Sequence, residues 1–148
     1  MTLWNNQIDK YYKNQVRYGG CISNDELGKK KGDKFYIVNL ENHNLDGTHW
    51  VLVYNVDPDC IIYFDSFGQP PTESVKKYIK KIHSTGKKAF YSKLDLQAIN
   101  SDMCGEFCIY VADHLLKGDK FNDILEKQFT KSVEENDLIL KKYFKENK

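Results

Sequence analysis

Cys104 and His49 are the two residues whose types and placement suit nucleophilic acyl chemistry. Cys104 lies in the string Asn100-Ser101-Asp102-Met103-Cys104-Gly105-Glu106-Phe107-Cys108. A polar N-cap at Ser101 or Asp102 would place Cys104 in the first turn of a helix. Open amide N–H groups and the positive end of the helix dipole favour a thiolate there. Gly105 leaves room for a substrate backbone to approach. The competing reading is a buried cysteine packing as a small apolar residue, which suits Cys108, one turn further on.

A thiolate needs a base, and the base needs an orienting acceptor. His49 follows Gly47-Thr48 and opens an apolar run, so a strand would hold it rigidly at the rim of a loop. His43, in the polar segment before it, is a rival, while His83 and His114 have no evident partners. Asp65 closes the run Cys60-Ile61-Ile62-Tyr63-Phe64-Asp65. If the two runs form a hairpin around Asp57-Pro58-Asp59, His49 lies nine residues before Pro58 and Asp65 seven after it, side by side. The alternative for Asp65 is a turn cap before Ser66-Phe67-Gly68. Acyl transfer also needs oxyanion donors. The Cys104 backbone N–H is one candidate and the Gln97 side-chain amide is the second; otherwise Gln97 is an exposed loop residue.

The elements that must position these groups follow from pattern. The spacing of apolar residues from Leu3 to Val16 suits an amphipathic helix, broken by Tyr18-Gly19-Gly20. Ser23 with Glu26 three residues later reads as a capped helical turn. Phe35–Leu40, Thr48–Val56 and Cys60–Asp65 read as strands, the second central and buried. Pro70-Pro71-Thr72 announces a helix with Val75, Tyr78, Ile79 and Ile82 on one face and lysines largely on the other. Ala89–Ser92 suits a further strand. A helix starting at Asp102 or Cys104 runs to Leu116, and two more helices, about 120–129 and 131–146, follow. The sum is an α+β domain over residues 1–148: a small mixed central sheet flanked by helices, with the nucleophile at the N-terminus of a central helix.

Composition sets the bounds. The chain has 148 residues, 41% hydrophobic and 14% aromatic, which is enough to build a core. Its net charge of +1 argues against obligatory nucleic-acid wrapping and leaves a local basic patch open. The cysteines at 21, 60, 104 and 108 have no CxxC spacing and the histidines no zinc-finger pattern, so no metal site is expected. The thiols read as reduced. No signal-peptide h-region and no membrane-length apolar run is present, so no membrane contact is expected; a monomer is the separate expectation.

Gly47-Thr48-His49-Trp50-Val51, Tyr63-Phe64-Asp65-Ser66-Phe67-Gly68, Gln97 and Asp102-Met103-Cys104-Gly105-Glu106-Phe107-Cys108 together resemble the adenovirus maturation protease family. Its relatives occur in virophages and other double-stranded DNA viruses, and the SUMO-specific proteases are more distant cousins. The order His, acidic residue, Gln, Cys is kept, and Gln97 precedes Cys104 by the family's seven residues. Tyr18 to Leu27 is similar to the family's N-terminal substrate-side segment. The resemblance implies a papain-like fold, with Cys104 as nucleophile, His49 as proton shuttle, Asp65 orienting it, and Gln97 with the Cys104 N–H holding the oxyanion. Trp50, Gly105 and Gly47 would border the substrate. The family implication is cleavage of capsid or other structural precursors at Gly-Gly or Gly-X sites, in the virion and in the infected cell's cytoplasm or nucleus. The family's acidic position is Glu in the adenovirus enzyme and Asp among the SUMO-protease cousins; here it is Asp65.

The adenovirus enzyme is stimulated by DNA and by a disulfide-linked peptide. Lysines 29–31, 76, 77, 80, 81, 87 and 88 could follow a phosphate backbone, or simply form a solvated face. No cofactor is required on the sequence, and stimulation by DNA or a peptide stays open. Two other functions fit part of the pattern: removal of ubiquitin-like modifiers, and acetyl transfer by the same triad. A non-catalytic binding module, with Cys104 as a core thiol, is the alternative of another class.

Overall fold

The computed structural model describes residues 5–30, 32–40 and 49–146. Helix α1 (Asn5–Tyr11) leads into β1 (Tyr18–Ser23) and a 3₁₀ turn over Asn24–Lys29. Strands β2 (Phe35–Asn39), β3 (Trp50–Tyr54) and β4 (Cys60–Phe64) precede α2 (Glu73–His83) and β5 (Lys88–Tyr91). Helices α3 (Cys104–Leu116), α4 (Phe121–Lys127) and α5 (Val133–Glu146) complete the order. The strands form one sheet in the order β1-β2-β3-β4-β5, parallel at the two outer pairs and antiparallel at the two inner ones. The fold is α+β with a mixed central sheet flanked by helices.

Alternation along the inner strands divides the interior in two. Ile37, Trp50, Leu52, Ile62 and Phe64 face α3, while Val38, Val51, Val53, Ile61 and Tyr63 face Val75 and Tyr78 of α2. Helix α2 is amphipathic as its sequence implies, with Thr72 at its N-cap accepting the Val75 N–H. Helix α3 differs: eleven of its thirteen residues are buried, because sheet, α4 and α5 close around it. Each large apolar side chain on it, such as Phe107 at 0% exposure, contributes about 1.5–3 kcal/mol by leaving water. Helix α1 docks through tyrosines: the hydroxyls of Tyr11, Tyr12 and, from α5, Tyr143 all donate to the Asp113 carboxylate of α3, at 2.5, 2.7 and 2.6 Å.

Two local expectations are corrected. Tyr18-Gly19-Gly20, read from sequence as a break, begins strand β1. The glycine there answers to packing: a Cβ on Gly19 would lie 2.2 Å from the Tyr36 ring. The N-cap of α3 is Met103, not Ser101 or Asp102. The Ser101 hydroxyl instead accepts the Met103 N–H at 3.2 Å, a tight turn that competes with capping and ends one residue before Cys104. Gly47, Thr48 and the rival base His43 lie outside the described residues.

Candidate active site

The hairpin of β3 and β4 brings His49 to Asp65. Leu52 stands opposite Phe64, Val53 opposite Tyr63 and Tyr54 opposite Ile62. Three places outward from Leu52 and Phe64, that register sets His49 opposite Phe67, and their rings do meet, with centroids 5.3 Å apart. Asp65 is then the diagonal neighbour. Its Oδ1 lies 2.9 Å from His49 Nε2 and accepts the Phe67 N–H at 2.9 Å. A turn fixes this carboxylate: the Gly68 N–H donates to the Asp65 carbonyl at 2.9 Å, and Gly68 takes a φ of +72°. A Cβ on Gly68 would lie 2.5 Å from the Lys93 carbonyl oxygen, so only glycine fits.

Beyond Phe64 the hairpin opens. Continued pairing would set Trp50 against Ser66, but the Ser66 carbonyl accepts the Leu96 N–H at 2.8 Å instead. The Trp50 N–H is released and points to Cys104 Sγ at 3.4 Å. One turn along α3, the Cys108 thiol donates to the Trp50 carbonyl at 3.4 Å. Both polar groups of one residue of β3 are thereby tied to α3, and the tie sets the height of Cys104 relative to His49, the next residue back.

Cys104 is the first residue of α3 and 5% exposed. The first intrahelical bond is Phe107 N–H to the Met103 carbonyl, so the Cys104 N–H precedes the helical ladder. Burial works against charge on His49, yet hydrogen bonds to Asp65 and Cys104 outweigh it and hold the imidazole pKa up at about 9. Asp65 occupies Nε2, which leaves Nδ1 for the thiol. An imidazolium flanked by a carboxylate on one side and a sulfur on the other can stabilise a thiolate and later deliver a proton.

Gln97 is not an exposed loop residue. It is 1% exposed; its Nε2 donates to the Ser101 carbonyl at 2.9 Å and its Oε1 accepts the Ser66 hydroxyl at 2.5 Å. Trp50 is 2% exposed and packs in the core beneath the site, its indole N–H buried with no hydrogen-bond partner among the described residues. Gly105 is buried in the first turn of α3. His83 and His114 stand apart, bound to the Lys87 carbonyl and to Asp119, each at 2.8 Å. A cavity of about 460 Å³ lies at the other end of β4, against Asp57, Cys60, Phe90 and Phe121; none of Cys104, His49, Asp65 and Gln97 lines it.

Sequence reasoning missed three buried polar residues around the site. Ser66 was legible only as part of a turn, Asn136 sits far along the chain, and Glu106 is a carboxyl in the buried first turn of α3. Glu106 is 4% exposed, and burial, with Asp102 and Asp137 nearby, raises its pKa to about 7. The one sequence signal for it is a carboxylate among apolar residues in the first turn of the run Cys104 to Leu116.

No family model and no curated protein sequence matches the chain. Solved structures do. The crystal structure of ASFV pS273R protease aligns with a TM-score of 0.65 at 18% identity, covering 95% of this chain and 65% of that one. The chain has the fold of the ASFV pS273R protease. The selenomethionine form of that protease gives a TM-score of 0.62 at 15% identity over the same shares of the two chains. The chain therefore spans less than two thirds of the length of the pS273R protease it matches. No helix among the described residues is long and apolar enough to cross a membrane.

Proposed function

We propose that this chain is a cysteine endopeptidase of viral type that uses a Cys104–His49–Asp65 triad to process structural precursor proteins at Gly-containing sites. The observation that carries it is the continuous chain from Asp65 Oδ1 to His49 Nε2 at 2.9 Å and through the same ring to Cys104, at the start of a buried helix. The fold shared with the pS273R protease supports the same reading.

The thiolate of Cys104 attacks the scissile carbonyl, and the carbonyl electron pair moves to oxygen. The Cys104 N–H and one Gln97 Nε2–H hold that oxyanion. His49 gives its Nδ1 proton to the leaving amine as the thioester forms. His49 then takes a proton from water, the hydroxide adds to the thioester, and the C–S bond breaks to release the acid and restore the Cys104 thiolate beside the imidazolium. Asp65 keeps the ring oriented and stabilises its positive charge. Selectivity for small residues and capsid-type precursors is the part of the reading contributed by the resemblance to adenovirus-type proteases.

The test is the rate of Cys104 alkylation by iodoacetamide against pH, in wild type and His49→Ala, with the modified residue located by mass spectrometry. A plateau reached well below pH 8 and lost in His49→Ala supports the triad. An unreactive Cys104, with or without added DNA, would sink it. Removal of ubiquitin-like modifiers is the second reading, favoured by Asp rather than Glu at position 65. Processing of a SUMO precursor in preference to Gly-Gly capsid peptides would select it.

A further inference from the structure

The Gln97 carboxamide is held at both ends. The Ser101 carbonyl has no proton to give, so only Nε2 can meet it, and this fixes the orientation of the amide. Oε1 then faces the Ser66 hydroxyl, which must be the donor. Ser66 is 0% exposed, so no water competes for that hydroxyl. Its main chain grips the same loop, because its carbonyl accepts the Leu96 N–H at 2.8 Å.

The carbonyl side of Leu96 is held from α5. Asn136, 0% exposed, donates from Nδ2 to the Leu96 carbonyl at 3.0 Å. The same Nδ2 donates to the Thr130 carbonyl at 3.0 Å, and Oδ1 accepts the Thr130 N–H at 2.8 Å. A strand end and a helix forty residues away thus grip the residue adjoining Gln97 from its two sides. A glutamine side chain has several rotatable bonds, and an unpinned one would spend transition-state binding on ordering itself.

We propose that Ser66 and Asn136 are positioning residues for the oxyanion donor. Ser66 fixes the rotamer of Gln97 so that Ser101 uses one Nε2–H and the second is left for the oxyanion. Asn136 holds the Leu96-Gln97 main chain at the height of Cys104. This rests on the protease reading, with Gln97 as donor. Both residues act at the tetrahedral stage and leave formation of the thiolate alone.

The test takes the full chain as wild type, Ser66→Ala, Gln97→Ala, the double variant and Asn136→Ala. Two readouts are needed: kcat and KM on a fluorogenic Gly-Gly peptide amide, and the pH profile of Cys104 alkylation by iodoacetamide. Ser66→Ala is expected to lower kcat about tenfold, with KM and the alkylation profile within about twofold of wild type. The double variant is expected to be no slower than Gln97→Ala, since Ser66 acts only through that side chain. Asn136→Ala should show the same split between kcat and alkylation. If it does not fold, Ser66→Ala decides alone. A wild-type kcat in Ser66→Ala, or losses that multiply in the double variant, would overturn the proposal while a reactive Cys104 keeps the protease reading. An unreactive Cys104 and no cleavage in wild type would instead remove the protease reading, and this proposal with it.

Discussion

The Cys108 thiol donates to the main-chain carbonyl of Trp50 at 3.4 Å, and the N–H of that residue is given to Cys104 at the same distance. Cys108 is therefore part of what sets Cys104 against His49. Cys108→Ala removes a 0% exposed side chain and a hydrogen bond, and should cost about 1–3 kcal/mol in denaturant unfolding. The same variant should slow Cys104 alkylation, because the clamp on Trp50 is halved.

Thiol selectivity is a second expectation. Burial raises the Cys108 pKa well above the ordinary thiol value, raises Cys21 to about 12, and also raises Cys60, where Asp57 adds to the effect. None of these three forms much thiolate near neutral pH. Brief iodoacetamide treatment at pH 7 should therefore label Cys104 alone, as peptide mass spectrometry would show. Equal labelling of Cys60 would contradict the electrostatics.

The pH–rate profile should carry an alkaline limb set by His49. The imidazolium must keep its proton until the leaving amine takes it, and its pKa stands at about 9. Peptide kcat/KM should fall as pH rises through that value. Asp65→Asn removes a principal support of the charge, so the limb should move down toward 6.5 and the maximal rate should drop by about two to four powers of ten.

Glu106 and His49 each lose a proton near the same helix end as pH rises, and stability should show both. The Glu106 pKa rises from 4.5 to about 7 on folding, so its neutral form is favoured. Its contribution is fully present below pH 4.5 and is lost as pH rises through about 7. His49 rises from 6.5 to about 9; its contribution is full below pH 6.5 and is lost on the way to pH 9. Melting temperature should therefore fall in two adjoining steps. Glu106→Gln should abolish the first step and stabilise the protein by about 1–3 kcal/mol at pH 8 relative to wild type. His49→Ala should abolish the second.

Gly68→Ala combines a φ of +72° with a Cβ placed 2.5 Å from a backbone oxygen. It should cost about 2–4 kcal/mol. Because the clash is with Lys93, on the segment leading to Gln97, and the turn carries Asp65, turnover should fall further than stability alone accounts for. A loss of stability with unchanged kcat would refute the link.

The pairing of His49 with Asp65 was legible by counting outward from Pro58, and the observed register is centred there. Strand patterns and the amphipathic α2 were legible because each repeats locally. What escaped was tertiary. Gly19 and Gly20 carry no strand signal, and β1 forms because its neighbour β2 offers a free edge and Tyr36 covers the missing side chain. The α3 cap moved to Met103 because Ser101 spent its hydroxyl on a turn. Ser66 and Asn136 leave no trace at any period, since their partners lie 31 and 40 residues away.

The chain order of these residues governs when the site exists. His49 and Asp65 leave the ribosome before Gln97 and Cys104, and Asn136 leaves after all of them. A nascent chain thus carries His49 before Cys104, then Cys104 with a Gln97 loop that has no strut until α5 docks. On the proposed protease reading, synthesis itself would act as the safety catch: ribosome-bound chains stalled before α5 are expected to cleave nothing.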